Sequence, residues 1–168
     1  MSISHPSVLG MIPARANSKR LPNKNMALLN GEPLVVRAAR TACRSRLDLV
    51  IVSSESTEVL DAVSEANVGD PRLDRRPMYL SADDMLPTEI IKYLLRQGLQ
   101  AEYDYAMTLQ PDIPFRTTED INAMIDIAVK NDADFVGAFR PFREKPVTLD
   151  GDGRIQESDF LGFSEYFR

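Results

Sequence analysis

Apolar residues fall along this chain in two rhythms. Short apolar runs such as "SVLGMIPA", "LDLVIVSS", "YDYAMTLQP" and "ADFVGAFRP" are each bounded by polar or turn-forming residues, which is the pattern of strands buried on both faces. Between them, apolar residues recur every three or four positions. Leu34, Val35, Ala38, Ala39 and Ala42 predict an amphipathic helix over residues 33–46, opened by Pro33 after the turn "NGEPL". Val59, Leu60 and Val63 give a second helix one stripe after the serine-rich cap "SSES". "TEIIKYLLRQG" predicts a third, with Thr88 as its cap and Gly98 just past its end. A fourth is capped by Thr117 or Thr118 and carries Ile121, Met124, Ile125, Ala128 and Val129. The stretch "GDPRLDRRPMYLSADDMLP" shows neither rhythm and is expected to be a long loop of the functional kind. "VTLDGDGRIQ" alternates about an Asp-Gly turn and predicts a hairpin.

Strands alternating with helices imply an α/β fold with a mainly parallel sheet covered by helices on both faces. Residues 1–168 are expected to form a single domain. Ligands of such sheets bind beyond the carboxyl ends of the strands. The loops at residues 13–25 and 110–116 both follow predicted strands, so the site is expected there.

Charge sharpens this picture. With 25 acids against 20 basic residues the chain carries −5, which argues against nucleic-acid or membrane-surface binding. Yet up to Arg46 the only acid is Glu32, against eight Lys and Arg. Within residues 15–24 stand Arg15, Lys19, Arg20 and Lys24 with no acid among them, so the N-terminal part is expected to meet something anionic. No apolar run approaches the length of a membrane span, and "MSISHPSVLGM" lacks the features of a secretory signal. A lone Cys43 excludes an internal disulfide, and the expected location is the cytoplasm.

Four cations in a loop with the small residues Ala14, Ala16 and Ser18 suit a polyphosphate, since the backbone can pass close to phosphate oxygens while Arg15 and Lys24 neutralise them. A solvated basic loop is the alternative reading of the same charges. Neither G-x-x-x-x-G-K-[ST] nor G-x-G-x-x-G occurs, so a P-loop or dinucleotide fold is not supported. "DGDGRIQESDFL" fails as a calcium loop because Ile155 stands where glycine is needed.

"IPARANSKRLPNKN" resembles the opening motif of the acylneuraminate cytidylyltransferases, A-R-x-x-S-K-x-x-P-x-K-N, matched at Ala14, Arg15, Ser18, Lys19, Pro22, Lys24 and Asn25. Two further motifs follow in the family's order: "RRPMYLSADDMLPTE" and "LQPDIPFR", the latter similar to L-Q-P-T-S-P-L-R. The resemblance spans roughly residues 8–140 and implies a nucleotide-diphosphosugar-transferase-like, Rossmann-like fold. It implies attack by the anomeric hydroxyl of a sialic-acid-like nonulosonic acid on the α-phosphate of CTP, giving a CMP-sugar and pyrophosphate, with Mg2+ as cofactor and a homodimer as the assembly. Carried over by position, Arg15 and Lys24 hold phosphates as the catalytic cations. Ala14, Asn17 and Ser18 complete the nucleotide-binding loop, and Asn25 contacts the cytosine. Arg76 and Thr88 shape the base and ribose pocket, and Gln110 faces the sugar acid. From the residues alone, Arg76 could equally pair with Asp74 or Asp83.

The chain departs from the pattern in two places. Asp112-Ile113 replaces Thr-Ser, resembling Q-G-D-E-P of the related 3-deoxy-manno-octulosonate cytidylyltransferases, whose aspartate binds magnesium. Asp112 is therefore the expected metal ligand, with a turn or cap residue as the alternative. The family's later N-G-A-I-Y-like strand and paired metal aspartates are not found, which leaves either a shortened form or completion by another subunit. A non-catalytic nucleotide- or sugar-binding relative is the alternative function.

Overall fold

Hydrophobic strands with nothing polar to place on either face must be covered twice, and the computed structural model shows how. It describes residues 6–16, 18, 21–99, 103–137, 147–149 and 155–157. The elements run β1 (Val8–Pro13), β2 (Leu28–Leu29), β3 (Glu32–Pro33), α1 (Leu34–Cys43), β4 (Leu49–Ser54), α2 (Thr57–Glu65), β5 (Arg72–Arg75), α3 (Pro87–Leu94), β6 (Tyr105–Thr108), α4 (Thr118–Asn131), β7 (Val147–Leu149) and β8 (Ile155–Glu157). Residues 1–136 and 137–168 form two separate units.

In the first unit β5, β4, β1 and β6 form a parallel sheet in that order. Side chains alternate between its faces. Val8, Ile12, Val50 and Val52 pack with α1, α2 and α4 through Val35, Ala39, Val59, Val63, Ile121 and Ile125. Leu9, Met11 and Ile51 meet Ile90 and Leu94 of α3 on the other face. The chain moves one way from β1 to β4 and β5, then crosses back past β1 to β6. Right-handed crossovers therefore place α1 and α2 on one face and α3 on the opposite one. Helices on both faces are as expected.

Local chemistry sets most boundaries. Asn30 and Gly31, at φ of 52° and 81°, form the two-residue turn joining the antiparallel β2 and β3. Ser56 caps α2 by accepting from the Val59 N–H. Thr117 and Asp120 cap α4 reciprocally, each side chain accepting from the other's backbone N–H. Gly98, at φ of 102°, lies in the widened turn Leu95–Leu99 after α3.

Three expectations change. Thr88 does not cap α3: Pro87 takes the first helical position, for which its fixed φ suits it, so Leu86 is the cap residue and Thr88 lies inside the first turn. The expected long loop contains β5 and a short 3-10 turn, Met78–Ser81. β5 shows no apolar alternation because it is an exposed edge strand whose ladder is supplied by β4, and its arginines suit a sheet edge. Of the strand expected in "ADFVGAFRP", residues 133–137 form no ladder and 138–141 lie outside the described residues.

The second unit contains the expected hairpin, with Val147 opposite Glu157 and Leu149 opposite Ile155.

Candidate active site

All four parallel strands end on one side, so the segments after β1, β4, β5 and β6 share one rim of the sheet. The strand order reverses between β1 and β6. At such a reversal neighbouring loops diverge and leave a crevice. Lys24 comes from the loop after β1 and Asp112 from the loop after β6, and Lys24 Nζ lies 2.6 Å from Asp112 Oδ2. This pair joins the two loops singled out from the sequence, across the crevice. Asp112 caps no helix, since Thr117 caps α4.

The cation loop is fixed through its backbone. The Ala14 N–H donates to Ser53 O at 3.0 Å and the Ala16 N–H to Glu55 Oε1 at 2.8 Å. Asn25, buried at a 3-10 turn, donates its side-chain N–H to Arg15 O at 2.8 Å. Arg15 itself reaches out and pairs with Asp83 at 2.9 Å. The amides of Ala14 and Ala16 are thus engaged within the protein, and the charges at the rim are carried by side chains. Ser18 is half-buried, while Asn17, Lys19 and Arg20 lie outside the described residues.

The loop after β6 is held from α1. Arg37 Nε donates to Pro114 O at 2.6 Å and Thr118 Oγ1 to Thr41 O at 3.3 Å. Gln110 is exposed and its carbonyl accepts from the Ile113 N–H at 3.3 Å, closing the turn that presents Asp112. Burial pushes the Arg116 guanidinium down from its usual value while Asp112 and Asp120 oppose this.

Arg76 is the buried member of the set, its side chain 2% exposed. Its partner is neither Asp74 nor Asp83 but Glu55, at 3.2 Å from Nη2. Nη1 donates to Ser53 O at 2.9 Å and Nε to Ser81 Oγ at 2.9 Å. Asp74 instead accepts from Ser53 Oγ at 2.7 Å. Burial draws Arg76 down, opposed by Glu55 and Asp74, though a guanidinium starts high enough to stay charged. For Glu55 burial raises the pKa. Hydrogen bonds from Ser81 and from the backbone amides of Glu55 and Ala16, with the charge of Arg76, outweigh it and hold the carboxyl below its usual range.

A carboxylate held low contributes stability that is complete above the ordinary glutamate range and is lost as pH falls through its folded value. The groups facing it are Ser81, the amides of Glu55 and Ala16, and cationic Arg76. The melting temperature should therefore fall on acidification below about pH 4.3, the unperturbed glutamate value, and less steeply in Glu55→Gln. Parallel melting profiles for the two proteins would remove this contribution.

Thr88 is exposed on α3, and the structure gives no contact joining it to these groups. The composition of the sequence signalled the cations, but not Glu55, Asp83 or Arg37. Their one common signal is position: each is a charged residue near an element that opens onto the rim. Among the described residues no three Asp, Glu, His or Cys converge as a metal cage. A cavity of about 510 Å3, lined by Pro6, Asp104, Tyr105, Asp132 and Asp134, lies at the opposite, amino end of β6, away from this chemistry.

Comparison with known proteins gives the same fold and a family. Residues 9–152 match the profile of the cytidylyltransferases. The chain is 33% identical over 121 residues to a CMP-N,N'-diacetyllegionaminic acid synthase of Legionella pneumophila, covering 71% of this chain and 52% of that protein. It is 32% identical over 114 residues to an N-acylneuraminate cytidylyltransferase of Escherichia coli, covering 68% and 26% respectively. The chain therefore spans about half and about a quarter of these relatives. In structure it is similar to a CMP:2-keto-3-deoxy-manno-octonic acid synthetase complexed with CTP, with a TM-score of 0.61 and 22% identity over 76% of this chain and 49% of the other. It is also similar to 4-diphosphocytidyl-2C-methyl-D-erythritol synthase of Anaerococcus prevotii, with a TM-score of 0.62 and 14% identity over 94% and 65%. At these identities the structural likenesses establish the fold, that of the nucleotidyltransferases.

Proposed function

The chain belongs to the cytidylyltransferase family, and from that premise we propose that it activates a sialic-acid-like nonulosonic acid with CTP. The anomeric hydroxyl oxygen of the sugar acid forms a bond to the α-phosphorus and gives up its proton to solvent. The bond from that phosphorus to the bridging oxygen breaks, and pyrophosphate leaves with the electron pair. The observation that carries this reading is the Lys24–Asp112 pair, which joins the two motif loops across the crevice where the strand order reverses.

Among the described residues of the cation loop, Arg15 pairs with Asp83 and Lys24 with Asp112. All four side chains are about one-third to one-half exposed, and ion pairs so exposed hold by about 0–1 kcal/mol. A triphosphate, with more charge and more acceptor oxygens, can take both cations at small cost. Arg15 and Lys24 then neutralise charge on the nonbridging oxygens and the departing pyrophosphate. Asn25, fixed against the Arg15 carbonyl, supports the base side together with Arg76, Ala14, Asn17, Ser18 and Thr88. Gln110 and the turn it closes face the sugar acid.

The resemblance implies Mg2+, and the donor set fits an ion held by one protein carboxylate, Asp112, with phosphate oxygens and water as the other ligands. When bound, the ion supplies charge neutralisation at the phosphates. For Asp112 to take part, Lys24 must first be drawn off its Oδ2 by the nucleotide. Asp112→Asn should raise the magnesium concentration needed for half-maximal rate by about tenfold, in keeping with loss of a ligand or of a group that orients one. An unchanged magnesium titration would leave Asp112 as a partner of Lys24 only.

The reading extends to a homo-oligomer in the cytoplasm, supported by the resemblance and by the single cysteine. Among the described residues no helix is long and apolar enough to cross a membrane. The deciding experiment is calorimetric titration with CTP, UTP, GTP and ATP, each with magnesium, followed by pyrophosphate release with CTP and a panel of nonulosonic acids. Selective CTP binding with release supports the enzyme. Binding without release assigns a nucleotide-binding relative, and no binding overturns the reading.

A further inference from the structure

Glu55 stands where an acid is costly. It follows β4, and the two residues before it, Ser53 and Ser54, are fully buried. Its own side chain is 6% exposed. A buried carboxylate is tolerated only when its oxygens are matched by donors, and here both are. Oε1 accepts from the Ala16 N–H at 2.8 Å. Oε2 accepts from Arg76 Nη2 at 3.2 Å and from Ser81 Oγ. One carboxylate thus ties together the segment after β1, the segment after β5 and its own segment after β4.

The consequence falls on Arg15. The residues before and after it, Ala14 and Ala16, are both hydrogen-bonded to the end of β4, through Ser53 O and Glu55 Oε1. Its own carbonyl is held by Asn25. Three hydrogen bonds therefore hold the backbone around Arg15, at the Pro13–Ala14 and Arg15–Ala16 peptide groups, while its side chain reaches out to Asp83. On the other side the same carboxylate sets the height of Arg76 above the sheet. Binding groups must be held to within fractions of an ångström for a phosphoryl-transfer geometry to be productive, and the group that holds them is usually a fixed partner behind them.

We propose that Glu55 is the positioning residue of this site, an internal anion that fixes the phosphate-side cation Arg15 and the nucleoside-side cation Arg76 relative to each other without touching the nucleotide. This rests on the proposed use of CTP. A purely structural ion pair would predict loss of stability alone. A positioning role predicts that nucleotide affinity falls in proteins that remain folded, and that a carboxylate of different length restores part of it.

The test compares the native chain with Glu55→Gln, Glu55→Asp and Ser81→Ala. The readouts are KM for CTP and kcat from pyrophosphate release, and amide hydrogen exchange over residues 13–18. Glu55→Gln leaves the Ala16 N–H only a neutral, weaker acceptor and withdraws the charge from Arg76. It should raise KM about ten- to a hundredfold, a charged hydrogen bond's worth, with kcat changed less, and should speed exchange at Ala16. Glu55→Asp, which keeps the charge, should recover most of that loss. Ser81→Ala loosens the same carboxylate without removing a charge and should raise KM by about threefold with kcat unmoved, as for one neutral hydrogen bond.

Native KM and exchange in Glu55→Gln would overturn the proposal, as would an aspartate variant no better than the glutamine one. If Glu55→Gln does not fold, native KM in Ser81→Ala overturns it instead. Should the native chain fail to bind CTP, the proposed function falls by itself. Exchange at Ala16 then decides the clamp: faster in Glu55→Gln supports it, unchanged overturns it.

Discussion

Lys24→Ala lowers kcat/KM for CTP by about a hundred- to a thousandfold, the usual loss when one charged donor to a developing oxyanion is removed, and leaves the fold intact. Both halves of this expectation come from the same pair. Lys24 and Asp112 are respectively 32% and 39% exposed, so breaking their contact costs at most about 1 kcal/mol of stability. On the proposed function the ammonium moves from Asp112 to the triphosphate. Arg15→Ala should act similarly, since Arg15 stands in the same relation to Asp83. Lys24→Arg should recover only part of the loss. The planar guanidinium is longer and its fork does not reproduce a compact ammonium facing a single carboxylate oxygen. Thermal melts must accompany the kinetics: a kcat/KM within about threefold of native in both alanine variants, with native melting, would remove the phosphate assignment, since so small a change is less than one charged contact supplies.

The centre of the sheet was legible because burial on both faces forces apolar runs, and β1 and β4 each show one, while the edge strand β6 is only partly buried. Cap residues at Ser56 and Thr117 were legible because capping depends on neighbours three residues away. β5 was not. A short edge strand takes its hydrogen bonds from the strand beside it, and its residues Arg72, Leu73, Asp74 and Arg75 suit solvent as well as a ladder.

The candidate site divides the same way. Arg15 and Lys24 stood out because charge without nearby opposite charge needs a ligand or a distant partner, and Asp112 stood out only through the resemblance. Which distant partner could not be found. Lys24 and Asp112 are 88 positions apart, and Arg15 and Asp83 are 68 apart. Glu55 was hidden for a different reason: within "SSES" it looks like an acid at a helix start, where acids are common. Only the fold shows that its side chain turns inward to Ala16 and Arg76.

That inward turn leads to the largest expected effect on stability. Arg76→Met should destabilise the protein by about 3–5 kcal/mol, because it leaves the Glu55 carboxylate buried and short of its countercharge. For a chain of this size that corresponds to a fall in melting temperature on the order of 10 °C. The buried pair itself is worth much less than this. Its attraction is set against the desolvation of both charges, so removing both should cost less than the single substitution. The double variant Glu55→Gln with Arg76→Met keeps an oxygen for the Ala16 N–H and leaves no unpaired charge. It should melt above Arg76→Met alone, a non-additivity of at least about 1 kcal/mol in a double-mutant cycle. Additive losses in urea and thermal unfolding would mean that the two side chains do not depend on each other. Arg76 commits three of its five N–H groups to Ser53, Glu55 and Ser81, leaving at most two for a nucleotide. CTP binding to the double variant then separates its roles. The reference is Glu55→Gln alone, which lacks the same carboxylate: affinity weaker than in that variant marks Arg76 as a binding group, whereas equal affinity marks it as a support only.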